Sequence, residues 1–356
     1  MKVPLLDLGA QYAQVGEAVE AAVRRVLPTG HYILGPEVAA LEKELAAFVG
    51  TEYAVGVSSG SDALLCSLMA LDLKPGDEVI TTPFSFFATA GAIARLHARP
   101  VFADVDEESL NLDAADALRR QSDRTRAFLP VHLFGRLANL APLLAAGPPV
   151  IEDAAQALGT AGVAHRQSKA ATLSFFPSKN LGAAGDGGMV LTHDAGFAEQ
   201  VRLLRTHGSK PKYVHQVLGG NFRLDPLQAA ILRAKLPFLK SWNAKRQQNA
   251  NRYRQLLKPQ PLRLPPEGDF NWHHFVVRSD RRDSLRQWLK QREIETEVYY
   301  PEPLHLQPCL SQLGYRLGDL PVAEQACKEV LALPVHPELT EAQIEHVAAS
   351  VIGFFA

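Results

Sequence analysis

Short apolar runs alternate with amphipathic stretches through the first two-thirds of the chain, and this alternation limits the fold more than any other feature. AVGVSS reads as a strand leading into a turn. SDALLCSLMALDL reads as a helix that Ser59 or Ser61 can cap, with Leu64, Leu65, Leu68 and Leu71 on one face. KPGDEVITT is a turn and a strand, FATAGAIARLHA a helix, and RPVFADVD a strand. TRAFLPVHLFG, PPVIEDAAQ and AATLSFF add further β-rich runs, and GDGGMVLT is a strand after a glycine turn. AGFAEQVRLLRTHG reads as a helix with Gly208 at its C′ position. Strands that alternate with helices imply an α/β fold, with a mostly parallel sheet covered on both faces.

The pattern then changes. LDPLQAAILRAKLPFLKSWNAKRQQNANRYRQLL is strongly helical, with a break at Pro237, and KPQPLRLPPEGD is a proline-rich connection. NWHHFVVRS, the helix DSLRQWLKQR and an expected strand IETEVYY make a second, smaller α+β unit. A chain of 356 residues suits two domains. The expected division is 1–240 for a large domain, N-terminal segment included, and 241–356 for a small C-terminal one.

Lys and Arg number 37 against 38 Asp and Glu, a balance that argues against a general nucleic-acid or anionic-membrane binder. Cys66, Cys309 and Cys327 are widely spaced, with no CxxC or Cys/His zinc spacing, so no metal site is expected. That cysteine usage fits a reducing cytoplasm. MKVPLLDLGAQYAQ lacks the features of a signal peptide, and no apolar run is of bilayer length. The expectation is a soluble cytoplasmic protein.

In open parallel sheets, ligands gather at the carboxyl ends of the strands. Ser59 to Ser61, Pro83 to Phe86, His132, Asp153 and Lys179 each follow an expected strand, so the fold can bring them to one crevice. In Ser58-Ser59-Gly60-Ser61-Asp62 a strand ends, Gly60 permits a tight turn and a helix begins. Free amides and hydroxyls there suit a phosphate, although an ordinary capped helix has the same pattern. Asp153 ends an apolar strand and can hold a cationic heterocycle or act as an acid or base; Gln156, three residues on, can donate to a ring oxygen. A helix-capping Asp beside a solvated Gln is the plain alternative. Lys179 lies in SFFPSKNLGAAGDGG, after a buried strand and before dense glycine, which lets backbone approach a ligand closely. A surface lysine is protonated at neutral pH and a poor nucleophile, whereas desolvation or imine formation removes that block. Phe86 follows a strand and can stack on a planar ring, or belong to the core.

Taken together, and in order, these segments resemble the DegT/DnrJ/EryC1/StrS aminotransferases. The resemblance runs over nearly the whole chain, through GHYILGPEVAALEKELAAF, YAVGVSSGSDALLCSL, GDEVITTPFSFFATAGAI, PVFADVD, PVHLFG, IEDAAQALG, SFFPSKNLGAAGDGGMV, LGGNFRLDPLQAAIL and YYPEPLHLQP. It implies the seven-stranded fold type I of enzymes that use pyridoxal 5'-phosphate. It also implies that Lys179 holds the cofactor as a Schiff base and moves protons, that Asp153 pairs with the pyridine nitrogen, and that Gln156 lies near the phenolic oxygen. Gly60, Ser61 and Ser174 match phosphate contacts, and Phe86 matches the stacking aromatic, where relatives also use Trp or Tyr. Ser61 stands where threonine is common. Asn221 matches a residue that reaches the phosphate of a neighbouring subunit, which implies a homodimer with shared active sites. Tyr300 and His305 fall in a segment similar to a substrate-proximal part of the small domain. The implied reaction is ping-pong transfer of an amino group from L-glutamate to a nucleotide-linked 3-keto or 4-keto sugar, as in polysaccharide or antibiotic sugar biosynthesis. Some relatives carry histidine for the lysine and are sugar dehydratases; Lys179 argues against that branch. Another pyridoxal enzyme and a non-catalytic regulatory member are the competing readings.

Overall fold

A computed structural model describes residues 1–356. Helices α1 (Leu8–Val26) and α2 (Pro36–Val49) precede an alternating region. That region runs β1 (Tyr53–Val57), α3 (Gly60–Ala70), β2 (Glu78–Thr81), α4 (Ala88–Arg95), β3 (Arg99–Phe102), α5 (Ala114–Arg119) and β4 (Thr125–Leu129). It continues through α6 (Ala141–Ala145), β5 (Ile151–Asp153), β6 (Ala170–Ser174), β7 (Gly188–Thr192), α7 (Ala195–Leu204) and α8 (Pro226–Lys235). The remainder holds α9 (Leu239–Leu257), β8 (Phe275–Arg278), α10 (Arg282–Lys290), α11 (Pro321–Glu329), β9 (Val330–Leu333) and α12 (Glu341–Phe355).

Two ladders, β1-β7-β6-β5 and β3-β2-β4, meet where Phe128 bridges Val150 and Val131 bridges Asp153. The result is one seven-stranded sheet in which only β7 runs against the rest. Strands β2 and β7 are sealed on both faces, as strands must be when helices cover both sides of the sheet. The period-2 geometry of a strand then divides the core. Met189 and Leu191 of β7 pack with Val38, Leu41 and Leu232 of α2 and α8. Val190 packs on the opposite face with Leu64, Leu68 and Val201 of α3 and α7. Burying a side chain of this size stabilises by about 1.5–3 kcal/mol, which is why residues of this type occupy nearly every inward position.

A third core gathers Tyr253, Trp272, Phe275, Leu331 and Val347 around the antiparallel pair β8/β9. Helix α9 belongs to both layers. Leu239 and Trp242 pack against the large sheet's side, and Ala250, Tyr253 and Leu257 against the third core.

Three local expectations are corrected. IETEVYY forms no strand, only bridges from Ile294 to Val3 and from Glu297 to Ala332 of β9, because each of these pairings lasts for a single residue. That pairing also puts Val3, fully buried, in the C-terminal core and not with the large sheet. Helix α7 ends at Leu204, so Gly208 (φ +67°) is not its C′ residue; it turns the chain further on, where its N–H reaches Leu203 O at 2.8 Å. No helix is long and apolar enough to cross a membrane.

Candidate active site

Every parallel strand of the sheet delivers its carboxyl end to one edge, and β7, running the other way, begins there. Gly188 at the start of β7 therefore pairs with both Val57 of β1 and Ser174 of β6. The N-terminus of α3 is pressed into this junction. A Cβ on Gly60 would lie 2.6 Å from Ser174 Cβ, and one on Gly188 would lie 2.2 Å from Ser59 O. Ser59 caps α3 by accepting from Asp62 N at 3.0 Å, while Gly60 N and Ser61 N keep no protein partner. Two free amides, the positive end of a helix and the Ser174 hydroxyl thus face one point, a setting that suits a phosphate.

The glycines after Lys179 do a different job from the one expected. A Cβ on Gly182 would sit 2.3 Å from Pro177 O. Their bareness lets the chain fold tightly on itself, while Lys179 N is fixed by Phe176 O at 2.8 Å and Gly182 O accepts from Lys235 Nζ at 2.8 Å. Gly188→Ala should force Ser59 and the α3 amides apart. The expected cost is about 1–3 kcal/mol of stability, together with a smaller rise in melting temperature on adding pyridoxal phosphate than the unsubstituted protein shows. Thermal unfolding with and without cofactor measures both.

Asp153 ends β5 with its carboxyl group buried. Thr89 Oγ1 donates to one oxygen at 2.8 Å and Ala155 N to the other at 3.2 Å. Burial pushes the carboxyl above its usual pKa, and these donors and the nearby Lys179 charge oppose that rise. Burial in turn lowers the half-buried Lys179 amine to about 8, with Asp153 pulling the other way. Gln156 is oriented by its neighbours. Its Oε1 accepts from Phe134 N at 2.6 Å, so Nε2 points outward and donates to the Tyr300 hydroxyl at 3.2 Å. Burial holds the Tyr300 phenol above its ordinary pKa, so it remains a neutral O–H. Phe84 is core, whereas Phe86 is 61% exposed and presents an uncovered ring.

The fold therefore assembles Gly60, Ser61, Ser174, Asp153, Gln156, Tyr300 and Lys179 along one sheet edge. Asn221 is exposed on the extended segment beside the end of β1, where Ser58 N meets Phe222 O at 3.0 Å. His305 does not join them. It is 1% exposed, hydrogen-bonded to Glu324 through Nε2 at 3.1 Å, and packed between Phe102 and Tyr315, which leaves no surface for a substrate. His132 is likewise sealed: Nδ1 accepts from Ala138 N at 3.1 Å, so Nε2 carries the hydrogen toward Glu152 at 2.8 Å. Sequence reasoning missed Thr89, a threonine on a helix with nothing to mark it. It also missed Asn180, whose amide ties the lysine loop to Asn243 at 2.8 Å, Asn271 O at 3.0 Å and His273 at 2.9 Å.

A lysine in a desolvated setting, a buried carboxylate within reach of its charge, an anion cradle and an open aromatic ring define the site of an enzyme that uses pyridoxal phosphate. The sequence profile of the DegT/DnrJ/EryC1/StrS aminotransferase family matches residues 13–352, and the chain belongs to that family. It is 46% identical to the pleiotropic regulatory protein of Geobacillus stearothermophilus, over all of this chain and 99% of that one. It is 42% identical to the dTDP-3-amino-3,4,6-trideoxy-alpha-D-glucose transaminase of Streptomyces venezuelae, over 98% of this chain and 95% of that one. The crystal structure of S. venezuelae DesV in complex with a ketimine intermediate superposes with a TM-score of 0.95 at 41% identity, covering 99% of this chain and 98% of the other. The protein is an aminotransferase with the pyridoxal-phosphate fold of its family.

Proposed function

We propose that the protein moves an amino group from L-glutamate to a nucleotide-linked keto sugar by a ping-pong reaction, with Lys179 as the residue that carries both cofactor and proton. The observation that carries this reading is the pair Lys179 and Asp153, each shifted by its own burial and opposed by the other's charge, at the sheet edge that also holds the anion cradle. The family membership and the transaminase relative support it.

The residues fit pyridoxal phosphate. Gly60 N, Ser61 N and Ser174 Oγ would hold the phosphate, Asp153 the ring nitrogen, Gln156 Nε2 the phenolic oxygen, and Phe86 one face of the ring. When bound, the group supplies an electron sink for negative charge at the carbon that carries the amino group. Asp153, almost wholly buried, would place its carboxylate opposite the ring nitrogen and so sustain that withdrawal. Lys179 takes a proton from the α-carbon of the donor and returns one at the far end of the same transfer. With a pKa of about 8, roughly a quarter of the amine is neutral near pH 7.5, where an ordinary lysine would have almost none.

Asn221 reaches the phosphate of a second copy in this reading, and the site is completed in a homodimer. The exposure of Asn221 and of the apolar Tyr213 and Leu218 nearby, 81% and 93%, supports a covered surface there. The two layers joined by α9 form the large domain, about 1–240 apart from the N-terminal residues that pack on the other layer, and the small domain, about 241–356. Three free cysteines fit the cytoplasm. The intact lysine and carboxylate favour catalysis over a purely regulatory role.

The test is a panel of dTDP- and UDP-linked 3-keto and 4-keto sugars with glutamate as donor. Formation of 2-oxoglutarate and one amino sugar is the expected result. Turnover of none of the sugars, in protein that carries the cofactor, would overturn the substrate assignment.

A further inference from the structure

Two adjacent histidines stand just before β8, and only one is spent within the protein. His273 is 4% exposed and shares Nδ1 with Asn180 Oδ1 at 2.9 Å, a structural tie to the lysine loop. His274 is half-buried. Its ring stacks on Tyr299, with centroids 4.2 Å apart and planes 25° apart, and meets the Phe134 edge at 5.8 Å. No protein group bonds either of its ring nitrogens, and neither nitrogen is sealed from solvent.

The walls around it lead to the site. Phe134 N holds Gln156, Gln156 holds Tyr300, and Phe84 lies edge-on to both Phe134 at 6.5 Å and Tyr300 at 6.0 Å. Both nitrogens are open to solvent, so a ligand that displaces the water there must offer one donor and one acceptor in its place. Burial, the Lys179 charge and the Arg246 charge hold the ring neutral. A neutral imidazole offers one N–H and one lone pair, a set that matches an alcohol or a ketone with a hydroxyl beside it. A dicarboxylate calls instead for a fixed cation.

We infer that His274 reads the sugar: its free ring nitrogens hydrogen-bond the hydroxyl next to the carbon that exchanges its amino group, and glutamate makes no use of them. This rests on the sugar-aminotransferase reading above. His274 is thus a specificity-determining residue for one of the two substrates that share Lys179.

Both substrates can be followed from the same resting enzyme, as loss of the visible absorption band of lysine-bound cofactor. The probes are L-glutamate and dTDP-3-amino-3,4,6-trideoxy-α-D-glucose, with a UDP-linked 3-amino hexose as the second sugar. His274→Phe keeps the stack on Tyr299 and removes both polar atoms. It should lower the sugar rate constant, as kcat/KM for that half-reaction, at least tenfold more than the glutamate one. His274→Gln, which restores a donor and an acceptor, should recover most of the difference. Calorimetric affinity for the same amino sugars should weaken by a similar factor in His274→Phe. Equal losses with glutamate and sugar, or no rescue by glutamine, would overturn the inference while leaving the function intact. Unsubstituted enzyme that responds to glutamate and to neither amino sugar would overturn the sugar reading itself, and the role of His274 with it.

Discussion

Lys179→Ala is expected to lower transamination at least about 10⁴-fold, the upper range for a general base, because the same atom also anchors the cofactor. The lysine loop is held by backbone and by neighbours, through Lys179 N to Phe176 O, Lys235 Nζ to Gly182 O, and the Asn180 amide. None of these uses the Lys179 side chain, so the variant should fold and keep its phosphate cradle. Steady-state assays beside a melting curve separate lost chemistry from lost structure. Addition of methylamine should return a fraction of the rate, since a free amine can occupy the vacated space and carry the proton. The pH dependence gives a second check. Only a neutral amine attacks an aldehyde, so the rate at which cofactor-free protein binds pyridoxal phosphate covalently should rise with pH through an inflection near 8 and level off above it. Asp153 raises that value, so neutralising it should move the inflection lower. An inflection near 10.5, as for an exposed lysine, would show that the amine is not desolvated.

Asp153→Asn should cost roughly a thousandfold in kcat, the scale expected when a charge aimed at the developing transition state is removed from a buried site. The substitution keeps shape, and the local hydrogen bonds can adapt to it. Thr89 Oγ1 lies 3.0 Å from Ser85 Oγ, and either hydroxyl can be the donor. The Thr89 hydroxyl can therefore turn to donate to Ser85 and accept from the new amide, while Ala155 N still finds an oxygen. The melting temperature should change by only a few degrees, and the loss should appear in both half-reactions, because the ring nitrogen serves both. A variant that kept near-normal kcat would remove Asp153 from its assigned place.

Much of this site was legible in the sequence for a definite reason. Strands that alternate with helices form a parallel sheet, and a parallel sheet collects its loop residues at one edge. Lys179, Asp153 and Gly60 could be gathered from that rule before any contact was known, whereas Ser174 came only from the family resemblance. The exceptions have reasons as well. IETEVYY has the composition of a strand but pairs for only a single residue at a time. His305 carries the chemistry of a site residue, yet Glu324 and two aromatic rings claim it. Thr89, Asn180 and His274 carry no local pattern at all.

By itself, then, the sequence determined the class of fold and the residue types that chemistry requires: a lysine after a strand, a carboxylate at a strand end, and glycine at the turn from a strand into a helix. These depend on local period and on chain direction, which are written along the chain. The tertiary structure alone decided which polar groups remain free. Whether a histidine is spent on Glu324, as His305 is, or left open beside Tyr299, as His274 is, depends on partners distant in sequence. Desolvation of Lys179 and Asp153 is likewise a property of the assembled crevice, because only packing from many segments removes water.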